Sequence, residues 1–288
     1  MKPSVVKVDP DQIEELCRRL LDSRDSSAHT TTSQHEAFRI MVAGETIVGY
    51  TSGKIVSHGP HSAAAVQNAI LKIGPGSRAL LVIGSDEAGK GEWLGPMTVA
   101  AVALTHEQSA MLRALGVMDS KSMSVVRIAE LSKTVRRNAL KVASLLISPE
   151  KFNTQIEEFR KEGKNLNDLL AWAHAKVITD VYEAIKNRDE PIKIVVDQFA
   201  RVKTEARLRV KIDLGSIELV QRPKAEDEIA VAAASIIARE ARESWIDWAC
   251  EKYDIDLREL SVTEAYEHVK KNSFAKTSYL QSEIMRKQ

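Results

Sequence analysis

The sequence predicts an α/β protein (α+β overall) with two domains: a small α+β unit, then a mixed or parallel sheet flanked by helices. Three observations support this prediction. Strand-like and helix-like patterns alternate over most of the chain, which is typical of a sheet covered by helices. Short alternating runs near the N-terminus predict a small antiparallel meander. Gly74, Pro75 and Gly76 interrupt the chain, so the predicted domains are residues 1–76 and 77–288.

In the first domain, apolar residues recur at helical spacing over residues 9–24 and predict an amphipathic helix. Residues 26–33 are rich in Ser and Thr and predict a loop. Three strand-like runs and a second helix follow, over residues 37–42, 46–50, 55–57 and 62–73. The pattern leaves two interpretations open for this unit: its sheet is a docking surface, or the unit is simply a small packed module.

The second domain alternates apolar strands with helices. The predicted strands cover residues 79–83, 97–104, 141–147, 192–196 and 216–220. The predicted helices cover residues 107–115, 124–138, 167–187, 203–211 and 226–250. A further helix begins at Ser148-Pro149, because Ser is a favoured N-cap and Pro a favoured first helical residue. The order of these elements favours a mixed or parallel sheet.

Composition and charge favour an ordinary globular protein. Of 288 residues, 44% are hydrophobic and 28% are charged, and the net charge is +1. Binding of nucleic acid would therefore depend on local basic clusters rather than on the whole-molecule field. The two cysteines stand far apart and outside any metal-ligand spacing, which fits a reducing cytosol. Because no apolar run reaches the roughly 20 residues that span a bilayer, and no signal segment is evident, we expect a soluble, cytoplasmic, monomeric protein.

Four carboxylates occupy comparable places in the second domain. Asp86 and Glu87 come directly after its first buried strand, and Asp197 ends a later strand. Glu226 opens a long helix just after another strand. Strand ends and helix starts are where a sheet gathers side chains into one site. The pattern therefore predicts a carboxylate cluster.

The negative charge of such a carboxylate cluster must be neutralised. Two carboxylates about 4 Å apart repel by roughly 4 kcal/mol at an effective dielectric constant of about 20. The cluster persists only if protons or cations neutralise it, and carboxylates favour the hard ions Mg²⁺ and Mn²⁺. The residues thus predict a divalent-metal site.

One competing interpretation concerns phosphate binding. Gly84 to Lys90 fits the pattern G-x-x-x-x-G-K of a P-loop. The next residue is Gly91 rather than the Ser or Thr that would bind Mg²⁺. Asp86 and Glu87 would also direct negative charge toward the phosphates. These departures argue against a nucleotide-binding loop.

Four motifs stand in order along the second domain. They are Asp86-Glu87-Ala88-Gly89-Lys90-Gly91 with Gly95-Pro96, Asp119-Ser120-Lys121, Val196-Asp197-Gln198-Phe199, and Lys224-Ala225-Glu226 followed by residues 230–239. Together they resemble the motifs of the type 2 ribonuclease H family, which contains ribonucleases HII and HIII. The resemblance runs from about residue 79 to the C-terminus, and the series of motifs makes it specific.

Three features resemble the ribonuclease HIII branch. The fourth acid is Glu226, where ribonuclease HII usually has Asp, and the glycine motif carries Lys90, where ribonuclease HII typically has Arg. Residues 47–56 lie in a module similar to the TATA-binding-protein-like domain of ribonuclease HIII. The resemblance implies that residues 1–76 form a substrate-binding domain and that residues 77–288 form a ribonuclease H-like catalytic domain.

The resemblance also implies an activity: endonucleolytic hydrolysis of the RNA strand of RNA–DNA hybrids, leaving 5′-phosphate and 3′-hydroxyl ends. Asp86, Glu87, Asp197 and Glu226 would be the catalytic residues and the ligands of two Mg²⁺ or Mn²⁺ ions, about 3.5–4 Å apart in such sites. Asp227 and Glu228 stand beside Glu226, so the fourth ligand is left open among these acids.

Substrate-binding residues follow from the same resemblance. Gly89, Lys90 and Gly91 would approach the RNA backbone, since glycines let the main chain close on a ligand. Their amides could contact the 2′-hydroxyl that distinguishes RNA from DNA. Lys90 and Lys121 would contact phosphates.

Three alternatives for the function stay open. One is cleavage at single ribonucleotides in DNA, as in ribonuclease HII. Another is a nuclease of the same fold that acts on DNA, and a third is a non-catalytic nucleic-acid-binding protein. His174, in the long helix 167–187, is interpreted as a hydrogen-bonded structural or surface histidine rather than a site residue.

Overall fold

Two separate sheets organise the chain, one in each of two units, Met1–Ala79 and Leu80–Gln288. The structure, a computed structural model, describes residues 3–8, 10–23, 25–72, 80–118, 123–197, 201–223 and 225–287. The domain boundary that we predicted after Gly76 falls within residues 73–79, outside the described residues.

The first unit is a five-stranded antiparallel sheet with two helices. Its elements are β1 Ser4–Lys7, α1 Ile13–Leu21, β2 Ser26–His29, β3 Glu36–Val42, β4 Glu45–Tyr50, β5 Lys54–Ser57 and α2 Pro60–Lys72. The strand order is β1-β5-β4-β3-β2. Alternate residues of β3, namely Phe38, Ile40 and Val42, are buried on the face that packs with Leu16 and Leu20 of α1. The other face of the sheet remains partly exposed.

Two predictions for this unit were wrong. Residues 26–33 were predicted as a loop but contain β2, and β1 was not predicted at all. Both are four-residue strands at the edges of the sheet. Both strands are almost fully exposed, so neither shows the alternation of buried apolar residues that predicts a strand. β1 also pairs with β5, which is about 50 residues away in sequence. The helix predicted over residues 9–24 begins only at Ile13, after a 3-10 turn.

The second unit contains a five-stranded mixed sheet in the order β10-β9-β6-β7-β8. Its strands are β6 Leu81–Ala88, β7 Met97–Leu104, β8 Lys141–Ile147, β9 Ile192–Asp197 and β10 Glu218–Arg222. β6, β9 and β10 are parallel, whereas β7 runs antiparallel to both of its neighbours, β6 and β8. The carboxyl ends of β6 and β9 therefore meet at one edge of the sheet. The predicted mixed sheet flanked by helices is confirmed.

Helices cover both faces of this sheet. The helices of this unit are α3 His106–Ala114, α4 Val125–Asn138, α5 Pro149–Lys161, α6 Leu166–Ile185, α7 Arg201–Arg209, α8 Ile229–Tyr253, α9 Val262–Glu267, α10 Lys271–Phe274 and α11 Thr277–Lys287. One core cluster joins the sheet to α6 and another joins it to α8. Ser148 caps α5 with Pro149 at its start, as predicted. Within the described residues, no helix is long and apolar enough to cross a membrane.

The first strand of this unit extends further than predicted. β6 continues through Ala88, so Asp86 and Glu87 lie within the strand rather than in a following loop. Gly84 makes this possible, because a Cβ at that position would lie 2.1 Å from the backbone of Ala230. A glycine in mid-strand lets α8 pack directly on the sheet. Glu226 was also misplaced: it lies in a 3-10 turn, and α8 begins at Ile229.

Candidate active site

A cleft of about 590 Å³ opens where the carboxyl ends of β6 and β9 meet the start of α8. Its described lining residues are Asp86, Glu87, Ala88, Gly89, Glu92, Asp197, Glu226, Ser235, Arg239, Arg242 and Glu243. All four carboxylates that we singled out from the sequence line this one cleft. Parallel strands bring them together: Asp86, Glu87 and Asp197 lie at the carboxyl ends of β6 and β9, and Glu226 follows β10, which is parallel to β9.

Asp86 is the most buried of these acids, with 7% of its surface exposed. Its Oδ1 accepts a hydrogen bond from the Glu87 amide at 2.8 Å, and the Ser235 hydroxyl donates a second. Burial, the adjacent Glu87 carboxylate and Asp197 raise the pKa of Asp86 to about 8, against these two hydrogen bonds. The site therefore penalises negative charge on Asp86 unless a positive charge accompanies it.

Glu87 has a different environment on the other face of β6. Its Oε2 lies 3.0 Å from His174 Nε2, and its Oε1 lies 3.2 Å from Lys90 Nζ. Burial alone would raise the pKa of Glu87, but the hydrogen bond and charge of His174, together with Lys90, hold it below its ordinary value. Glu87 is therefore held as a carboxylate.

Asp197 and Glu226 are linked through the backbone. The amide of Ala225 donates a hydrogen bond of 3.3 Å to Asp197 Oδ1, which ties the end of β9 to the turn that carries Glu226. Asp227 forms an ion pair with Arg222, and its side chain is 69% exposed. Of the three consecutive acids, only Glu226 is among the described lining residues of the cleft. This geometry favours Glu226 as the fourth acid.

The glycine motif turns sharply at the rim of the cleft. Gly89 has φ +80°, and a Cβ there would lie 2.3 Å from the Pro96 carbonyl oxygen. Arg242 of α8 fastens this loop, because its guanidinium pairs with Glu92 and donates to the carbonyl oxygen of Leu94 at 3.2 Å. Arg242 thus holds the loop against α8, and at Gly89 the backbone of the loop lies close to the Pro96 carbonyl group.

The predicted substrate-binding residues are only partly assembled at the cleft. Gly89 lines it. Lys90 lies at its edge in the ion pair with Glu87. Gly91 is exposed, and an added Cβ would meet nothing within 4 Å. Lys121 lies outside the described residues.

Sequence reasoning missed three side chains of the site: His174, Ser235 and Arg242. His174 was interpreted as a hydrogen-bonded structural or surface histidine. It is fully buried and hydrogen-bonded, as the structural interpretation predicted, but its contact with Glu87 was not predicted. One signal was available, since His174 lies between Leu170 and Ile178 on the apolar stripe of α6. A histidine on a buried face needs hydrogen-bond partners there.

The four carboxylates form a donor set that suits hard divalent cations. Within the described ranges, no three His, Cys, Asp or Glu side chains already converge as a metal-ligand cluster. Glu87 is paired with Lys90 and His174. The raised pKa of Asp86 shows that a nearby positive charge would stabilise its ionised form.

Solved structures of the same architecture identify the class of fold. The Mn²⁺ complex of Bst-RNase HIII superposes with a TM-score of 0.63 over 99% of this chain and 100% of that chain, at 21% identity. RNase H3 of Aquifex aeolicus superposes with a TM-score of 0.54 over 96% of this chain and 100% of that chain, at 20% identity. The fold of the two units therefore matches that of these RNase HIII structures.

Sequence comparison identifies the family. The family described as Ribonuclease HII matches residues 83–281. A relative in Protochlamydia amoebophila named Ribonuclease HIII is 35% identical over 253 residues, which cover 84% of this chain and 79% of the relative. Another of that name, from Chlamydia pneumoniae, is 38% identical over 177 residues, 61% of this chain and 56% of the relative. The chain belongs to the ribonuclease HII family, and the predicted resemblance is confirmed.

Proposed function

We propose that the chain hydrolyses the RNA strand of RNA–DNA hybrids endonucleolytically, with Asp86, Glu87, Asp197 and Glu226 as its catalytic residues. One observation carries the proposal: these four acids line a single cleft within the region that matches the family. The relatives named Ribonuclease HIII support the same activity. The products carry 5′-phosphate and 3′-hydroxyl ends.

The cofactor is Mg²⁺ or Mn²⁺, with two ions in the active complex held by the four carboxylates. The Mn²⁺ complex of Bst-RNase HIII supports a divalent metal in this fold. When bound, such ions activate a water molecule and stabilise the leaving 3′ oxygen. The chain itself orients the ligands: Ser235 donates to Asp86, and His174 contacts Glu87.

The glycine loop binds the RNA backbone beside the cleft. Gly91 is open to solvent, so a sugar-phosphate chain can approach its amide closely. Contact between a main-chain amide and the 2′-hydroxyl would select RNA at the cut position. Lys90, whose side chain is 38% exposed, lies where it can also contact a phosphate.

The first unit contributes a substrate-binding surface through the outer face of its sheet. Residues of β3 to β5 on this face alternate with those of the core, and they include Arg39, Met41, Tyr50 and Lys54. The Lys54 ammonium lies 6.0 Å from the centre of the Tyr50 ring. Basic and aromatic side chains on an open sheet suit a sugar-phosphate backbone.

The enzyme acts as a cytoplasmic monomer in this proposal. Cys17 and Cys250 are both free thiols, which suits a reducing compartment. Light scattering of the purified chain, with and without hybrid, measures the oligomeric state.

Cleavage of an end-labelled RNA–DNA hybrid tests the activity. Wild type, Asp86→Asn and Asp247→Asn are compared in Mg²⁺, Mn²⁺ or EDTA. Asp247 is the control, because it is an exposed aspartate of α8 that pairs with Arg258 and is not among the described lining residues of the cleft. We expect metal-dependent cleavage by wild type and Asp247→Asn, and none by Asp86→Asn.

Two further substrates separate the alternatives. A DNA duplex with one ribonucleotide tests for ribonuclease HII-like cleavage, and an all-DNA duplex tests for a DNA nuclease. If the hybrid is bound but stays intact in every metal, the chain is a binding protein and the proposal is wrong.

A further inference from the structure

His174 contacts both Ser85 and Glu87, from the face of the sheet that packs against α6. The residue belongs to α6 and is fully buried. Its Nδ1 lies 2.8 Å from Ser85 Oγ, and its Nε2 lies 3.0 Å from Glu87 Oε2. The ring therefore joins two residues of β6 that stand two positions apart.

The direction of these hydrogen bonds follows from counting hydrogens. Ser85 Oγ donates its only hydrogen to the Ala100 carbonyl oxygen at 2.8 Å. Ser85 Oγ must therefore accept from His174 Nδ1–H. The Glu87 carboxylate can only accept, so His174 Nε2–H donates to it while Nδ1–H donates to Ser85, and the two hydrogen bonds fix the orientation of the ring.

Strand alternation explains why the contact reaches only one of the two adjacent acids. Ser85 and Glu87 project from the same face of β6, toward α6, whereas Asp86 projects toward α8. Lys90 also contacts Glu87, but its flexible side chain is 38% exposed. His174 is the rigid partner, because its other ring nitrogen is anchored to the strand.

We infer that His174 is a positioning residue, which holds the Glu87 carboxylate in the orientation that serves the metal site. This inference rests on the proposed function. Hydrogen bonds from outside a metal site orient its carboxylate ligands, and their removal typically costs about 10–100-fold in metal affinity or activity. A merely structural histidine would affect folding but would leave metal affinity unchanged in the folded protein.

Two substitutions divide the roles of the ring. His174→Asn keeps an N–H group near the position of Nδ1, toward Ser85, and removes the contact with Glu87. His174→Gln keeps an N–H group near the position of Nε2, toward Glu87. Ser85→Ala keeps the ring but removes its anchor. Melting temperatures in EDTA identify any variant that fails to fold.

Calorimetric titration with Mn²⁺ and steady-state cleavage of the hybrid are the two measurements. We expect His174→Asn to lose about 10–100-fold in Mn²⁺ affinity and in kcat, with little change in KM for the hybrid. His174→Gln should recover most of both losses, and Ser85→Ala should fall between wild type and His174→Asn.

The inference is wrong if folded His174→Asn and His174→Gln are equally impaired, or if neither differs from wild type in Mn²⁺ affinity. Failure of the proposed function gives a different result: wild type itself would leave the hybrid intact in Mn²⁺. Because calorimetry measures metal binding without turnover, it tests His174 even in that case.

Discussion

Asp86 and Glu87 are adjacent in the chain, yet their side chains leave β6 on opposite faces of the sheet. Asp86 accepts a hydrogen bond from Ser235 of α8, and Glu87 contacts His174 of α6. The cleft is thus built around the end of a strand, with one helix supporting each acid. A change on either helix can therefore disturb one acid without directly touching the other.

Divalent metal should stabilise the folded protein through Asp86. At a concentration of about 100 times its dissociation constant, a ligand that binds only the folded state adds about 2.7 kcal/mol. We expect Mn²⁺ to raise the melting temperature of wild type and of Asp247→Asn, measured by circular dichroism. Asp86→Asn should lose most of this rise. An equal rise in all three proteins would contradict the assignment of Asp86 as a ligand.

The choice between neighbouring acids can be tested directly. Glu226 lines the cleft, whereas Asp227 pairs with Arg222 and is exposed. We expect Glu226→Gln to lower kcat on the hybrid by more than about 100-fold. Removal of a hydrogen bond that supports a metal ligand typically costs about 10–100-fold, and here the ligand itself is changed. Asp227→Asn should stay close to wild type. The reverse pattern would make Asp227 the fourth ligand.

The two glycines of the motif should differ in their effect on stability. Gly89→Ala forces a side chain onto a backbone at φ +80° and against the Pro96 carbonyl. We expect a loss of about 1–3 kcal/mol in the free energy of unfolding, measured by urea denaturation. Gly91→Ala has open space around its Cβ and should change stability by less than about 0.5 kcal/mol. Equal losses of unfolding free energy in the two variants would contradict the difference between the surroundings of Gly89 and Gly91.

Because of Lys276, the free energy of unfolding should change with pH above about 7. The side chain is fully buried, and its Nζ donates to the Gly95 carbonyl oxygen at 2.5 Å. Burial and the charge of Arg242 lower the pKa of Lys276 to about 7, against the opposing effect of Glu92. The folded state therefore favours the neutral amine.

The direction of the effect follows from proton binding. Below pH 7 the lysine is protonated in both states, so its contribution to stability is constant. Between pH 7 and the ordinary value of 10.5, the unfolded chain holds a proton that the folded chain lacks, so stability rises with pH. Relative to Lys276→Met, wild type should gain up to about 1.4 kcal/mol per pH unit in this window. A constant difference between pH 7 and 9.5, measured by urea denaturation, would contradict the lowered pKa.

Much of the second unit was predictable because its elements carry strong local signals. β7 and β8 begin and end at the predicted residues, since both are continuous runs rich in apolar residues. The start of α5 was predictable from a serine cap and a proline. The end of β6 was not, because Gly84 looks like a strand breaker until α8 is seen packed against it.

The sequence by itself determined the identity and order of the four acids, the strands that precede them and the resemblance to one enzyme family. Those features depend on residue type, spacing and periodicity, which are local. Only the tertiary structure decided that His174, 87 residues away from Glu87, contacts it, and that Asp86 rests against α8 instead. Such contacts depend on which helix packs on which face of the sheet, and the apolar stripe of a helix shows that it packs but not which residues it meets.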